Sequence, residues 1–125
     1  MKIENIKFKA KKTLDGKWIK GDLVHHKDSD NVWITDYENK LTSPVNPSTV
    51  CQFTGMTDYK GNEIWEGDIV HDSYDLLCID NLYEVVYIEE EAMFALQSLD
   101  KVDNYEPFIN LFEVYVVGNK FDKYK

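Results

Sequence analysis

Cysteine, histidine and long apolar runs are scarce in this chain of 125 residues, and each scarcity argues against a class of protein. The two cysteines, Cys51 and Cys78, are too few and too irregularly placed for a zinc site or a disulfide framework, and no basic neighbour activates either thiol. No run reaches the roughly 18 apolar residues of a membrane helix. Residues 1–5 have neither the basic start nor the apolar core of a signal peptide. We therefore expect a cytoplasmic protein with no membrane partner.

Motifs that would hold a metal or a phosphate are also missing. The three histidines, His25, His26 and His71, lack the His-Glu-x-x-His spacing that presets metal ligands on a helix. The six glycines never occur as GxGxxG or GxxxxGK, the patterns of phosphate-binding loops. We predict no metal, no cofactor and no preset catalytic residue. The alternative is a catalytic site made of carboxylates that come together only in the folded chain.

The charge of the chain is strongly acidic and unevenly distributed. Aspartate and glutamate outnumber lysine and arginine by 23 to 14, which gives a formal net charge of −9. The lysines concentrate in the first twenty positions, so the sequence from Gly21 to Val117 is strongly acidic. An acidic surface repels phosphate backbones, and we expect no direct binding of nucleic acid except through the lysine-rich start.

The acidic run Glu89, Glu90 and Glu91 has two interpretations. It is either a solvated edge that keeps the protein soluble and blocks strand pairing, or a row of carboxylates that imitates a phosphate backbone. In the second case the chain is an acidic inhibitor of a nucleic-acid-binding protein. We include this run and Trp65 in a predicted interaction surface.

Aromatic residues make up 14% of the chain and hydrophobic residues 43%, which is enough for a core and favours strands. We predict a mainly β protein with one compact domain, residues 1–125. Its strands are short, strongly bent and antiparallel, in a small barrel-like or multi-sheet arrangement with at most one or two short helical turns. The predicted strands outside the central motif cover residues 3–8, 18–25, 32–35, 82–89, 92–99 and 112–117.

Three other segments are assigned less directly. Residues 38–47 contain two of the three prolines and are predicted to be a loop. Residues 92–99 also fit a helix by propensity. The conformation of residues 99–112 and of the C-terminal tail stays open.

The central motif, residues 52–70, contains three reversals marked by Gly55, Gly61 and Gly67. The cluster Asp-Tyr-Lys-Gly-Asn at positions 58–62 is typical of a turn that ends in a residue with positive φ, and a hairpin is the simplest arrangement.

A second signature links this motif to the start of the chain. Residues 18–25 and 64–71 share two bulky apolar residues, a charge, Gly-Asp, two aliphatic residues and histidine. We predict that each copy is a strand that bends sharply at its Gly-Asp pair, Gly21–Asp22 or Gly67–Asp68. The alternative is that Asp22 and Asp68 are catalytic or metal-binding carboxylates.

The segments IKFKAKKTLDGKWIKGDLV, VNPSTVCQFTGMTDYKGNEIWEGDIV and EVYVVGN together resemble the YopX family of phage and prophage proteins, whose core pattern is similar to QYTGLKDKNGKEIYEGDIV. The resemblance spans nearly the whole chain. It implies a mainly β protein encoded by a bacteriophage or prophage and present in the bacterial cytoplasm. It brings no catalytic residues with it, because fold alone does not give function.

Two hypotheses about function follow. The first is a non-catalytic interaction or assembly module that acts on a host or phage protein. Such a module could also form a homo-oligomer. The second is a small hydrolase or nucleotide-binding enzyme whose carboxylates meet His25 or His71 in the fold. A deep pocket that joins these groups favours the enzyme, and an exposed apolar patch favours the module. The absence of a preset site favours the module.

Overall fold

The computed structural model of the protein describes residues 2–72, 82–99, 105–107 and 114–122. Within these ranges the chain forms eleven strands and three single-turn 3-10 helices, at Ile3–Asn5, Pro47–Thr49 and Glu89–Glu91. The strands are β1 (Phe8–Lys11), β2 (Trp18–His25), β3 (Val32–Asp36), β4 (Thr42–Val45), β5 (Cys51–Thr57), β6 (Glu63–Trp65), β7 (Asp68–Asp72), β8 (Leu82–Ile88), β9 (Met93–Ser98), β10 (Tyr105–Pro107) and β11 (Val114–Asn119).

The predicted fold class is confirmed: the protein is mainly β, and its paired strands are antiparallel. Of the two arrangements that the sequence left open, the described strands adopt the multi-sheet one, with two sheets. The prediction of one domain over residues 1–125 stays a prediction. The chain divides into two compact units, Met1–Phe53 and Thr54–Lys125.

In the first unit β1 to β4 form a meander, and β5 returns to pair with β1, so that the strand order is β4-β3-β2-β1-β5. Its core lies on one face of the sheet because residues opposite each other across the strands point the same way, as Ala10 and Ile19 do. The buried residues of this core are Ala10, Ile19, Ile34 and Val45. Strand β5 carries the chain past Phe53 into the second unit.

Strand β4 corrects the prediction that residues 38–47 are a loop. Residues 42–45 pair with β3, with Val32 opposite Val45 and Ile34 opposite Ser43. The proline signal was misleading because β4 is an edge strand, where proline is tolerated although it has no N–H to donate. The Pro44 carbonyl oxygen still accepts a hydrogen bond from the Thr13 N–H at 3.1 Å.

The second sheet, in the second unit, has the order β10-β9-β8-β7-β11. The core of the second unit is aliphatic: Ile64, Val70, Val85, Leu96 and Val114. Residues 93–98 form a strand, so the strand prediction for this segment is the correct one. Strand β11 continues through Gly118 and Asn119, where the sequence predicted a stop, because the pairing with β7 accommodates a register shift between Val116 and Gly118.

The repeated Gly-Asp signature adopts two different conformations, and the prediction of a bend in both copies is correct only for the second. Gly21 lies inside the continuous strand β2, where an added methyl group would overlap the carbonyl oxygen of Thr35. Gly67 has φ +85° and lies in the turn between β6 and β7. Glycine is therefore required by close backbone approach at one site and by positive φ at the other.

Several predictions lie outside the described residues or are answered only for part of the chain. Cys78, most of residues 99–112 and the last three residues of the tail are outside them. Among the residues that are described, no helix has the length and apolar character needed to cross a membrane.

Candidate interaction surface

The turn between β5 and β6, residues 58–62, carries two large side chains to the surface of the second unit. Its conformation follows from its sequence: the Asp58 N–H donates to the Asn62 carbonyl oxygen at 2.8 Å, and the Gly61 N–H donates to the Asp58 carbonyl oxygen at 3.0 Å. Gly61 has φ +87°, a conformation that a side chain would strain. The predicted role of Gly61 in this reversal agrees with that geometry.

The Asp58 carboxylate fixes the turn from the inside. It is 5% exposed and accepts hydrogen bonds from the backbone N–H groups of Lys60 at 2.9 Å, Asn62 at 2.8 Å and Val116 at 2.9 Å. The Asn62 side-chain amide donates a fourth at 3.2 Å. Burial raises the pKa of the Asp58 carboxyl, but the hydrogen bonds from Val116, Asn62 and Lys60 outweigh it and hold the pKa below its ordinary value of 3.8.

The bond to Val116 ties this turn to β11 and brings three rings into a row. Tyr59 packs edge-on against Tyr115, with ring centroids 5.9 Å apart. Tyr115 in turn lies tilted against His71, its partner in the β7–β11 register, at 5.2 Å. The Lys60 ammonium lies 4.1 Å from the centre of the Tyr115 ring. We call Tyr59, Lys60, His71 and Tyr115 the tyrosine–lysine cluster.

The Lys60 ammonium, which carries the positive charge of the cluster, contacts aromatic rings. Within the described part of the chain, no acidic side chain lies within ion-pair distance of the Lys60 ammonium. Lys120 offers a contrast, because its ammonium lies 5.0 Å from the Phe121 ring and is also paired with Glu84 at 3.2 Å. Tyr59 is 56% exposed and Lys60 is exposed, so the cluster presents a ring and a lysine to solvent.

The two aspartates of the repeat lie in different surroundings. Asp68 is 2% exposed and accepts hydrogen bonds from the Trp65 N–H at 2.8 Å and from the Asn119 side-chain amide at 3.0 Å. Asp22 is exposed on β2. Gly55, the remaining glycine of the predicted motif, has φ +85° within β5.

Trp65 must be removed from the predicted interaction surface. Its side chain is 2% exposed, because β6 turns it into the protein interior. Residues Glu89–Glu91 do lie on the surface, in the 3-10 turn at the tip of the β8–β9 hairpin, next to the exposed Tyr87. The structure therefore separates the tryptophan from the acidic run with which it was grouped.

The histidines do not share a site with the pocket that the structure describes. His25 is exposed, His26 packs edge-on against Trp33, and the buried His71 Nδ1 atom has no hydrogen-bond partner among the described residues. The pocket, of about 230 Å³, is lined by Trp18, Ile19, Lys20, Asp36, Tyr37 and Glu38. In the described ranges, no three His, Cys, Asp or Glu side chains are grouped so that they could hold a metal ion.

The sequence pointed to only half of the tyrosine–lysine cluster. The turn at residues 58–62 was identified, but Tyr115 is 56 positions from Tyr59 and carries no motif. The only local signal is its position in the alternating pattern of the last strand, which places Tyr115 and its neighbours Val114 and Val116 on opposite faces.

Comparison with known proteins identifies the family of the chain. A search of curated proteins found no match to the chain. The family model described as YopX protein matches residues 7–123, which includes both sheets, the repeated signature and the turn of the tyrosine–lysine cluster. Since this match covers nearly the whole sequence, the chain belongs to the YopX family.

Proposed function

We propose that this protein is a non-catalytic interaction module that contacts a partner protein through the tyrosine–lysine cluster. The observation that carries this proposal is the use of a buried carboxylate, Asp58, to hold an exposed tyrosine and an exposed lysine in fixed positions. A preorganised surface loses less conformational entropy when it binds, so more of the contact energy appears as affinity.

The chemistry of the cluster suits a protein interface. Tyrosine supplies a large contact area with only two side-chain torsions, and tyrosine is enriched among residues that dominate binding energy. Tyr59 is supported edge-on by Tyr115, which restricts its ring before any partner arrives. We propose a phage or host protein as the partner, with a second copy of this chain as the alternative.

The enzyme alternative finds less support in the same region. His71 contacts Tyr115, and the pocket near Trp18 contains carboxylates and a lysine but no histidine. An acidic inhibitor acting through Glu89–Glu91 has the exposure it needs, and it is the second candidate function.

The test is affinity capture from a lysate of the bacterium that carries the gene, at low and high salt, with the wild-type chain and two variants. Tyr59→Ala removes the exposed ring of the cluster. Tyr87→Ala is the matched control, since Tyr87 is also an exposed tyrosine packed edge-on against another ring, that of Phe94.

We expect a stoichiometric partner that is retained by the wild type and by Tyr87→Ala and lost with Tyr59→Ala. Folding of each variant is checked by circular dichroism before capture. Recovery of the same proteins in the same amounts by all three chains would overturn the proposed function.

A further inference from the structure

We infer that the partner segment presents a carboxylate side chain next to an aromatic one, and that the carboxylate binds the Lys60 ammonium while the aromatic ring packs on Tyr59. This inference rests on the proposed function and specifies its partner. It follows from the charge and geometry of the tyrosine–lysine cluster.

Among the described residues, the Lys60 ammonium has no acidic partner. It lies 4.1 Å from the Tyr115 ring centre and 5.8 Å from that of Tyr59, and no hydrogen bond or ion pair to it occurs among the described residues. The rings hold its position but do not accept its three N–H donors. The nearby Asp58 carboxylate cannot serve, because four N–H groups of the fold already occupy it.

A single carboxylate matches this site better than a polyanion does. Binding of nucleic acid depends on several cations that neutralise several phosphates, whereas this cluster contains one lysine. The chain as a whole carries 23 acidic and 14 basic residues, so a long polyanion would be repelled by the rest of the surface. A protein segment with one well-placed acidic side chain avoids that repulsion.

The aromatic neighbour follows from the exposure of Tyr59. More than half of this side chain is accessible, and its contact with Tyr115 covers only part of the ring. Aromatic pairs gain energy at centroid distances of about 4.5–7 Å, so a partner ring can extend the row beyond Tyr59. A ring on the partner also covers the ion pair and shields it from water.

The probe comes from the chain itself. The segment at positions 87–91, Tyr-Ile-Glu-Glu-Glu, places carboxylates close to a tyrosine. The blocked peptide acetyl-YIEQQ-amide keeps the first of these carboxylates and so has the inferred single charge close to a tyrosine, and acetyl-YIQQQ-amide has the same shape without the charge. Each peptide is titrated into the isotope-labelled full chain, and the backbone amide resonances are followed by NMR.

We expect the acidic peptide to bind with a dissociation constant in the millimolar range and to shift the amides of Tyr59, Lys60 and Tyr115. The glutamine peptide should bind about fivefold more weakly. Lys60→Gln should weaken the acidic peptide by about the same factor and leave the glutamine peptide unchanged. Lys120→Gln, which removes a lysine already paired with Glu84, should change neither.

Equal binding of the two peptides, or shifts that do not include the cluster, would overturn the inference. So would a ten-nucleotide poly-dT strand that shifts the same amides more strongly than the acidic peptide. Sedimentation of the wild type and of Lys60→Gln tests whether the occupant is a second copy of this chain. Self-association that depends on Lys60 would assign the site to another copy and would overturn the inference that a different protein binds there. If Tyr59→Ala still loses the captured partner while the peptides fail, only this inference is wrong and the proposed function stands.

Discussion

Replacement of Asp58 by asparagine, a change of the same shape, should strongly destabilise the second unit. The carboxylate accepts four hydrogen bonds, from Val116, Lys60 and both the backbone and the side chain of Asn62. Asparagine keeps one acceptor oxygen and replaces the other with an NH₂ group. That group would face N–H donors in a site that is 5% exposed.

The expected cost is worked out from the bonds that are lost. About two of the four hydrogen bonds disappear, and each bond to a charged group contributes roughly 1.5–3 kcal/mol. Part of this loss is offset, because asparagine carries no charge and burying a charged carboxylate is itself unfavourable. We therefore expect a loss of about 3 kcal/mol. With a urea slope of about 2 kcal/mol/M, the unfolding midpoint should fall by about 1.5 M.

The pH dependence gives a second readout with a definite sign. Because the pKa of Asp58 is held below 3.8 in the folded protein, its contribution to stability is present above that value and is lost as the pH falls through the folded pKa. The difference in stability between wild type and Asp58→Asn should be constant between about pH 5 and pH 7 and should shrink below about pH 3.8.

The control is Asp22→Asn, an exposed aspartate of the first unit, which should change stability by less than about 0.5 kcal/mol. The reasoning is refuted if Asp58→Asn unfolds at the same urea concentration as the wild type. It is also refuted if the gap between the two proteins widens as the pH falls from about 6 towards 3.8, since only a carboxyl whose pKa is raised in the folded protein adds stability in that range.

Other substitutions test the glycines and the buried aspartate of the repeat. Gly61→Val and Gly67→Val should each lose at least about 2 kcal/mol in urea unfolding, because φ is +87° and +85° at these positions, and a variant that unfolds like the wild type contradicts this. Gly21→Ala should lose a similar amount, about 2 kcal/mol, through overlap with the Thr35 carbonyl group, and an unchanged midpoint would show that β3 moves aside without cost. Asp68→Asn should lose about 2 kcal/mol while the chain still folds, because the carboxylate is buried and accepts hydrogen bonds from the Trp65 N–H and the Asn119 amide; a loss under about 0.5 kcal/mol would mean that the asparagine amide satisfies these donors.

Local sequence was a good guide to the turns and strands because their causes are local. The Asp-Tyr-Lys-Gly-Asn turn and the reversal at Gly67 follow from residues within five positions of each other, and both were predicted. Strand β2 has the predicted limits, Trp18–His25. Strand β4 was missed because proline tolerance depends on whether a strand lies at a sheet edge, which only the pairing of strands determines.

The candidate site shows the same division. Tyr59 and Lys60 lie in a turn that the sequence identified, but their support comes from Tyr115 and Val116, more than 50 positions away. Trp65 was assigned to the surface because an aromatic residue near a turn gives no sign of which face it occupies. The structure buries it and leaves Tyr59 exposed.

The sequence alone determined the family, the mainly β class, the acidic charge and the positions of the sharp turns, since these depend on composition and on interactions between neighbouring residues. The tertiary structure decided why each glycine of the repeat is needed, which aspartate is buried and which aromatic residue is accessible. These properties arise from contacts between strands that are distant in the chain. The same Gly-Asp pair therefore forms a continuous strand at Gly21 and a left-handed turn at Gly67.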